Sequence, residues 1–167
     1  DRGRLDLAQR AATDLRRVRV PPDSGWLAEV PTAYALLLEA QLAAKRRSPE
    51  LPRLLGQLDS ALIDASFIPF TVLGNLIAAR LFEEQGNLPQ ALVAIRRRVW
   101  DLTPNPFYVT YHREEGRLAA LNGDWAGAIR AYRRYLAIRS GAEPGLQPEV
   151  AAVRAELEGL LRESTDR

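Results

Sequence analysis

The chain contains no cysteine and no methionine, and only one histidine and one lysine, His112 and Lys45. Without cysteine there is no disulfide, no thiolate-bound zinc and no thiol nucleophile, while the redox compartment stays open. A lone histidine cannot supply a multi-histidine metal site. Long apolar runs are missing too: the densest, Ala35 to Leu38, is ended by Glu39, far short of the roughly 18 residues a membrane span needs. Neither sign of charge is in excess. The 23 basic and 21 acidic residues leave a net charge of +2, which gives no reason to expect a nucleic-acid partner. The near-exclusive use of arginine reads as a codon-composition bias. With neither a methionine nor a signal-like segment at its start, the chain reads as a trimmed form of a longer one; the compartment is open, with the cytoplasm favoured.

What is present is an ordinary globular composition, 47% hydrophobic and 26% charged. At this length a compact domain buries roughly 70% of its unfolded surface. Apolar and polar residues do not alternate over any long stretch outside the helical patterns, so no strand is expected. The dominant signal is a repeat. Sliding the chain by 37 residues aligns Leu51-Pro52-Arg53-Leu54-Leu55 with Leu88-Pro89-Gln90-Ala91-Leu92, and that with Trp125-Ala126-Gly127-Ala128-Ile129. The same shift carries Leu58 to Ile95 to Tyr132, Leu62 to Val99 to Leu136, and Leu42 to Ala79 to Gly116. Pro49, Gly86 and Gly123 fall at one turn position.

Helical spacing and breakers divide the chain into helices joined by short turns. Residues 1–30 read as a helix from Arg4 to Val20, stopped by Pro21-Pro22, and a connector in which Trp26 and Leu27 staple that helix to the array; this part is the remnant of an upstream repeat. Further helices are expected from Pro31 to about Arg47, and from a Ser48 N-cap with Pro49 in the first turn. The latter carries the stripe Leu51, Leu54, Leu55, Leu58 and Leu62. The next run from near Thr71 to Gly86, from an Asn87 cap to about Leu102, from Asn105-Pro106 to Gly123, and from an Asp124 cap to about Arg139. Pro148 begins a last helix, apolar at Val150, Val153, Leu157 and Leu160.

From Gly116 to Leu136 the residues resemble a tetratricopeptide repeat (TPR): a small residue midway along the first helix, Gly123-Asp124-Trp125 at the turn, then Ala128, Tyr132 and Leu136. The preceding unit repeats the pattern in Ala79, Gly86-Asn87-Leu88, Ala91, Ile95 and Val99. The first unit departs from it, with Leu42 where a small residue is usual and Pro49-Glu50 at the turn. Small residues at Ala79, Gly116, Ala91 and Ala128 let the helices of a pair cross closely. The resemblance implies an all-α fold: a right-handed α-solenoid of about three TPR-like hairpins over 31–145, namely 35–71, 72–108 and 109–145, with a capping helix over 146–167. A period of 37 against the family's roughly 34 requires about three extra residues per unit. The segment from Arg113 to Leu157 is also similar to helical-repeat regions of large bacterial signalling proteins, such as Ser/Thr kinases and transcription regulators. No kinase or DNA-binding motif accompanies it.

Candidate chemistry is sparse. His112 reads as a packing residue in the unit position of Leu38 and Asn75. The neighbours Glu83-Glu84 and Glu114-Glu115 diverge by about 100° on a helix, so neither forms a carboxylate dyad. Ser60, Ser66 and Ser140 have no histidine at a predictable distance, and no phosphate-binding loop follows Gly123 or Gly127. No catalytic set, metal or cofactor is expected. The clusters Arg16-Arg17, Lys45-Arg46-Arg47, Arg96-Arg97-Arg98 and Arg133-Arg134 fall in the later turns of their helices, where positive charge complements the helix dipole.

Carried onto this chain, the family's groove pattern implies a concave surface of Leu36, Glu39, Ala43 and Arg47, then Leu73, Leu76 and Arg80, then Thr110, Arg113 and Arg117. Arginines among leucines suit an acidic, partly apolar peptide. The Lys and Asn set with which chaperone-binding members hold a C-terminal carboxylate is absent. The expected function is a non-catalytic protein–protein interaction scaffold. The alternatives are a peripheral structural subunit of a larger assembly, membrane-associated assemblies included, and the sensor region of a bacterial kinase or transcription regulator.

Overall fold

The apolar stripes and the breakers between them translate into helices throughout. The computed structural model describes residues 2–64, 68–97 and 107–165, and its described residues hold α-helices and two short 3-10 stretches with no strand. The helices are α1 (Arg2–Arg17), α2 (Val30–Lys45), α3 (Leu51–Asp64), α4 (Ile68–Glu84), α5 (Leu88–Arg96), α6 (Tyr108–Leu121), α7 (Trp125–Ile138) and α8 (Gln147–Thr165). The fold is all-α. The expected Asn105-Pro106 helix start, Val99, Arg98 and Ser66 lie outside the described residues, as does the side chain of Trp26. Leu27 is largely exposed rather than stapled.

The chain forms two compact units, Asp1–Gln85 and Gly86–Arg167, divided at the turn of the expected second hairpin. In the first unit α2 is central and packs against α1, α3 and α4. A helix touched on several sides must be apolar nearly all round. Accordingly Ala35, Leu36, Leu37, Ala40, Leu42 and Ala43 are all buried, and Glu39 is the only charged residue between Val30 and Lys45. The α3 stripe of Leu51, Leu55, Leu58 and Leu62 is buried as its spacing predicts. Gly74 on α4 admits the Leu62 side chain, which a Cβ at that position would strike.

In the second unit α6 packs against α5 and α7, and α7 against α8. Tyr132 and Tyr135 of α7 form a core with Val150, Val153 and Leu157 of α8, with Ile129, Leu136 and Leu160 around them. Fully burying an aliphatic side chain of this kind stabilises by about 1.5–3 kcal/mol. This contact seats the last helix. The α5 helix stops at Arg96, short of the expected Leu102, because Arg97 leaves the helical region with ψ 75°.

The turns explain why the first repeat matches the others poorly. Left-handed backbone occurs at Gly86 (φ 74°), Gly123 (φ 73°) and Arg47 (φ 52°), not at Pro49, whose ring forbids a positive φ. Arg47 and Gly123 close their helices with the same pair of bonds. Arg47 N donates to Ala44 O (3.0 Å) and Ser48 N to Ala43 O (2.8 Å), while Gly123 N donates to Ala120 O (3.0 Å) and Asp124 N to Ala119 O (2.9 Å). From Arg47 to Gly86 is 39 positions; from Gly86 to Gly123 is 37. The first turn therefore holds two additional residues, Pro49 and Glu50, and α3 begins at Leu51 rather than at a Ser48 cap. The Ser48 hydroxyl accepts instead from Glu50 N at 3.3 Å.

With that two-residue offset, the residue equivalent to Ala79 and Gly116 is Ala40, not Leu42, and all three are buried. The partner of Asn75 and His112 becomes Leu36 in place of Leu38. The second helices keep the 37-residue period without offset, starting at Leu51, Leu88 and Trp125. Side-chain caps hold two of these starts: Asn87 accepts from Gln90 N at 3.2 Å, and Asp124 from Gly127 N at 2.9 Å.

Candidate interaction surface

The residues expected to line a groove occupy α2 and the turn after it, α4 and α6, and the structure treats them unevenly. On α2, Leu36 and Ala43 are buried and Glu39 is half-buried, while Arg47 in the following turn is exposed. On α4, Leu73 and Arg80 are exposed and Leu76 is half-buried. Because α2 and α4 pack directly against one another, these residues belong to one body. On α6 of the second unit Thr110 is exposed, with Arg113 and Arg117 half-buried.

Most of the charged members already have partners. The Glu39 carboxylate is held by the fork of Arg16, whose Nε donates to Oε1 at 3.0 Å and Nη2 to Oε2 at 2.7 Å. That bidentate bond raises the Arg16 pKa, the hydrogen bond being its largest cause. Arg113 lies 3.8 Å from Glu149 of α8, and Arg117 donates to Glu114 Oε2 at 2.8 Å. Arg80 is exposed on α4.

The arginine clusters do more than complement helix dipoles, since several send one guanidinium to a neighbouring helix. Arg16 reaches α2 as described, Arg46 donates to Gln9 Oε1 on α1 at 2.8 Å, and Arg134 donates to the Tyr108 hydroxyl on α6 at 3.2 Å. Arg96 of α5 bonds Glu115 of α6 at 3.2 Å and also Asp124, the N-cap of α7. That contact, with the capping bond from Gly127 N second, holds the Asp124 carboxyl below its ordinary pKa. Glu114 and Glu115 thus turn to different partners, as their adjacency requires. His112 is buried with its ring edge-on to Tyr108, centroids 4.8 Å apart.

The first unit also holds a concave feature that the expected groove touches only in part, through Glu39 and Ala43. An open cleft of about 390 Å³ lies between α1 and the α2–α3 turn, walled by Gln9, Glu39, Arg46, Ser48, Glu50 and Arg53. Its floor is Leu42, Ala43 and Leu54. Arg53 donates to Glu50 Oε2 at 2.9 Å and to Gln57 Oε1 at 3.0 Å. The expected groove residues Glu39 and Ala43 and the Lys45-Arg46-Arg47 run pointed toward this place; Gln9 carried no signal, because its role depends on where α1 docks.

Among the described residues no group of three His, Asp or Glu side chains could hold a metal ion, and no helix is long and apolar enough to cross a membrane. No protein-family model, no curated protein and no solved structure matches the chain.

Proposed function

We propose that the chain is a non-catalytic interaction module, a right-handed α-solenoid of about three TPR-like hairpins that binds an acidic, partly apolar segment of a protein partner. One observation carries the reading: a helix is followed by a left-handed residue at Arg47, Gly86 and Gly123, with a buried small residue seven positions before each. Chains built by repeating one hairpin serve characteristically as binding surfaces. Exposed Leu73 and Arg80 on one body, and Thr110 with the half-exposed arginines on the other, supply apolar contact and guanidinium donors.

The test is affinity capture of partners by the wild-type chain and by the Arg80→Glu, Arg117→Glu double variant. The double variant should lose capture with its far-UV circular dichroism unchanged. Undiminished capture would move the surface off α4 and α6.

A second reading, a peripheral subunit of a larger assembly, is favoured by Leu7 of α1, which is 62% exposed. Leu7→Asp should then release the chain from a high-mass complex in size-exclusion chromatography of native extract, while the Arg80 and Arg117 changes should not.

A further inference from the structure

We propose that the cleft of the first unit binds a carboxylate side chain of an acidic peptide through the Arg46 guanidinium. The inference rests on the interaction-module reading and assigns that module a specific contact. The argument is one of charge. Of the carboxylates in the cleft wall, Glu39 is occupied by the fork of Arg16 and Glu50 by Arg53 at 2.8 Å. Arg46 has no carboxylate partner among the described residues; its guanidinium rests on the neutral amide oxygen of Gln9. Counting Arg16, three arginines therefore meet two carboxylates, and Lys45 and Arg47, the sequence neighbours of Arg46, are exposed.

The arrangement is suited to reading a carboxylate. A guanidinium has five N–H donors in a planar fork that matches two carboxylate oxygens, and Gln9 uses one of them while holding the group in place. Ordering the arginine before binding reduces the entropy lost on association. Below it, buried Leu42 and Ala43 and half-buried Leu54 offer an apolar floor to a neighbouring side chain of the peptide. The volume, about 390 Å³, falls in the range of roughly 300–1,000 Å³ usual for ligand sites. Because Arg46 is exposed, the contact is sensitive to salt.

The test is a selection from displayed random dodecapeptides against the intact chain, followed by fluorescence anisotropy of individual selected peptides. Enriched peptides should be rich in Asp and Glu, and replacing those residues by Asn and Gln should weaken binding by roughly fivefold or more. Gln9→Glu should cause the same loss by supplying Arg46 with an internal carboxylate, and its melting temperature should not fall. Arg46→Gln should match it.

Selected peptides without acidic bias overturn the inference, as do acidic peptides that bind Gln9→Glu and Arg46→Gln as tightly as wild type. In both cases peptide recognition itself survives. Loss only in the Arg80→Glu, Arg117→Glu variant likewise overturns this site and keeps the module. A wild-type chain that enriches nothing overturns both.

Discussion

Gly116 of α6 lies against the ring of Tyr132 of α7, so closely that a Cβ built at position 116 would stand 2.9 Å from the ring's Cγ and nearer still to two carbons of its edge. The ring cannot yield, because it is buried and its hydroxyl is bonded to Glu156 of α8. Gly116→Ala therefore overpacks this crossing, at a cost of about 1–3 kcal/mol. The better helix propensity of alanine returns about 1 kcal/mol of that. A net loss is expected in urea denaturation, and Tyr132→Leu should make the two changes strongly non-additive. Additive effects would mean that the ring is not the obstacle.

Arg47 adopts at its turn the backbone that glycine adopts at the other two. Arg47→Gly should stabilise the first unit by about 0.5–1 kcal/mol, since a side chain at positive φ costs roughly 1–2 kcal/mol and the flexible unfolded glycine takes part of the gain back. The reverse change, Gly86→Ala, should destabilise by about 1 kcal/mol through the backbone alone, because a Cβ there meets nothing within 4 Å. Thermal melts of the two variants should shift in opposite directions.

Asp124 links the cap of α7 to Arg96, and its pKa is lowered from 3.8 chiefly by that bond. A depressed folded pKa contributes stability that is present above the unfolded value and is lost as pH falls through the folded one. Asp124→Asn keeps an acceptor for the cap, as Asn87 does on α5, but removes the titration. Denaturation midpoints measured from pH 7 downward should fall less steeply below about pH 4 in the variant than in wild type. Parallel curves would show that the ion pair is energetically silent.

The Tyr135 hydroxyl donates to Glu149 of α8 at 2.6 Å, and burial first, with this bond second, pushes its pKa up to about 12. A raised folded pKa gives stability present below the ordinary value of 10.0 and lost as pH climbs toward 12. Tyr132 is shifted in the same direction by burial and by Glu156. Tyr135→Phe should cost about 1 kcal/mol at neutral pH. It should also flatten the alkaline loss of stability between those limits, followed by tyrosinate absorbance alongside circular dichroism.

How much of this was legible in the chain differs by residue. The starts at Leu88 and Trp125 with their Asn87 and Asp124 caps follow from local rules, since a cap bond spans three residues, whereas α3 was expected from a Ser48 cap and begins at Leu51. The Arg47 turn was not legible: arginine is an unusual occupant of left-handed backbone, while the neighbouring Pro49 lies in register with the glycines and displaced the alignment by two residues. The Arg16–Glu39, Arg46–Gln9 and Arg96–Asp124 pairs join helices far apart in sequence, and no local pattern names such partners.

The order of apolar and breaking residues by itself determined that this protein is helical and where most helices begin. Only the tertiary structure decided which arginines are spent on neighbouring helices and which, like Arg46, meet no carboxylate among the described residues. Helix formation is written in bonds between residues three or four apart, whereas a long charged side chain takes whichever acceptor the docking of whole helices brings within its reach.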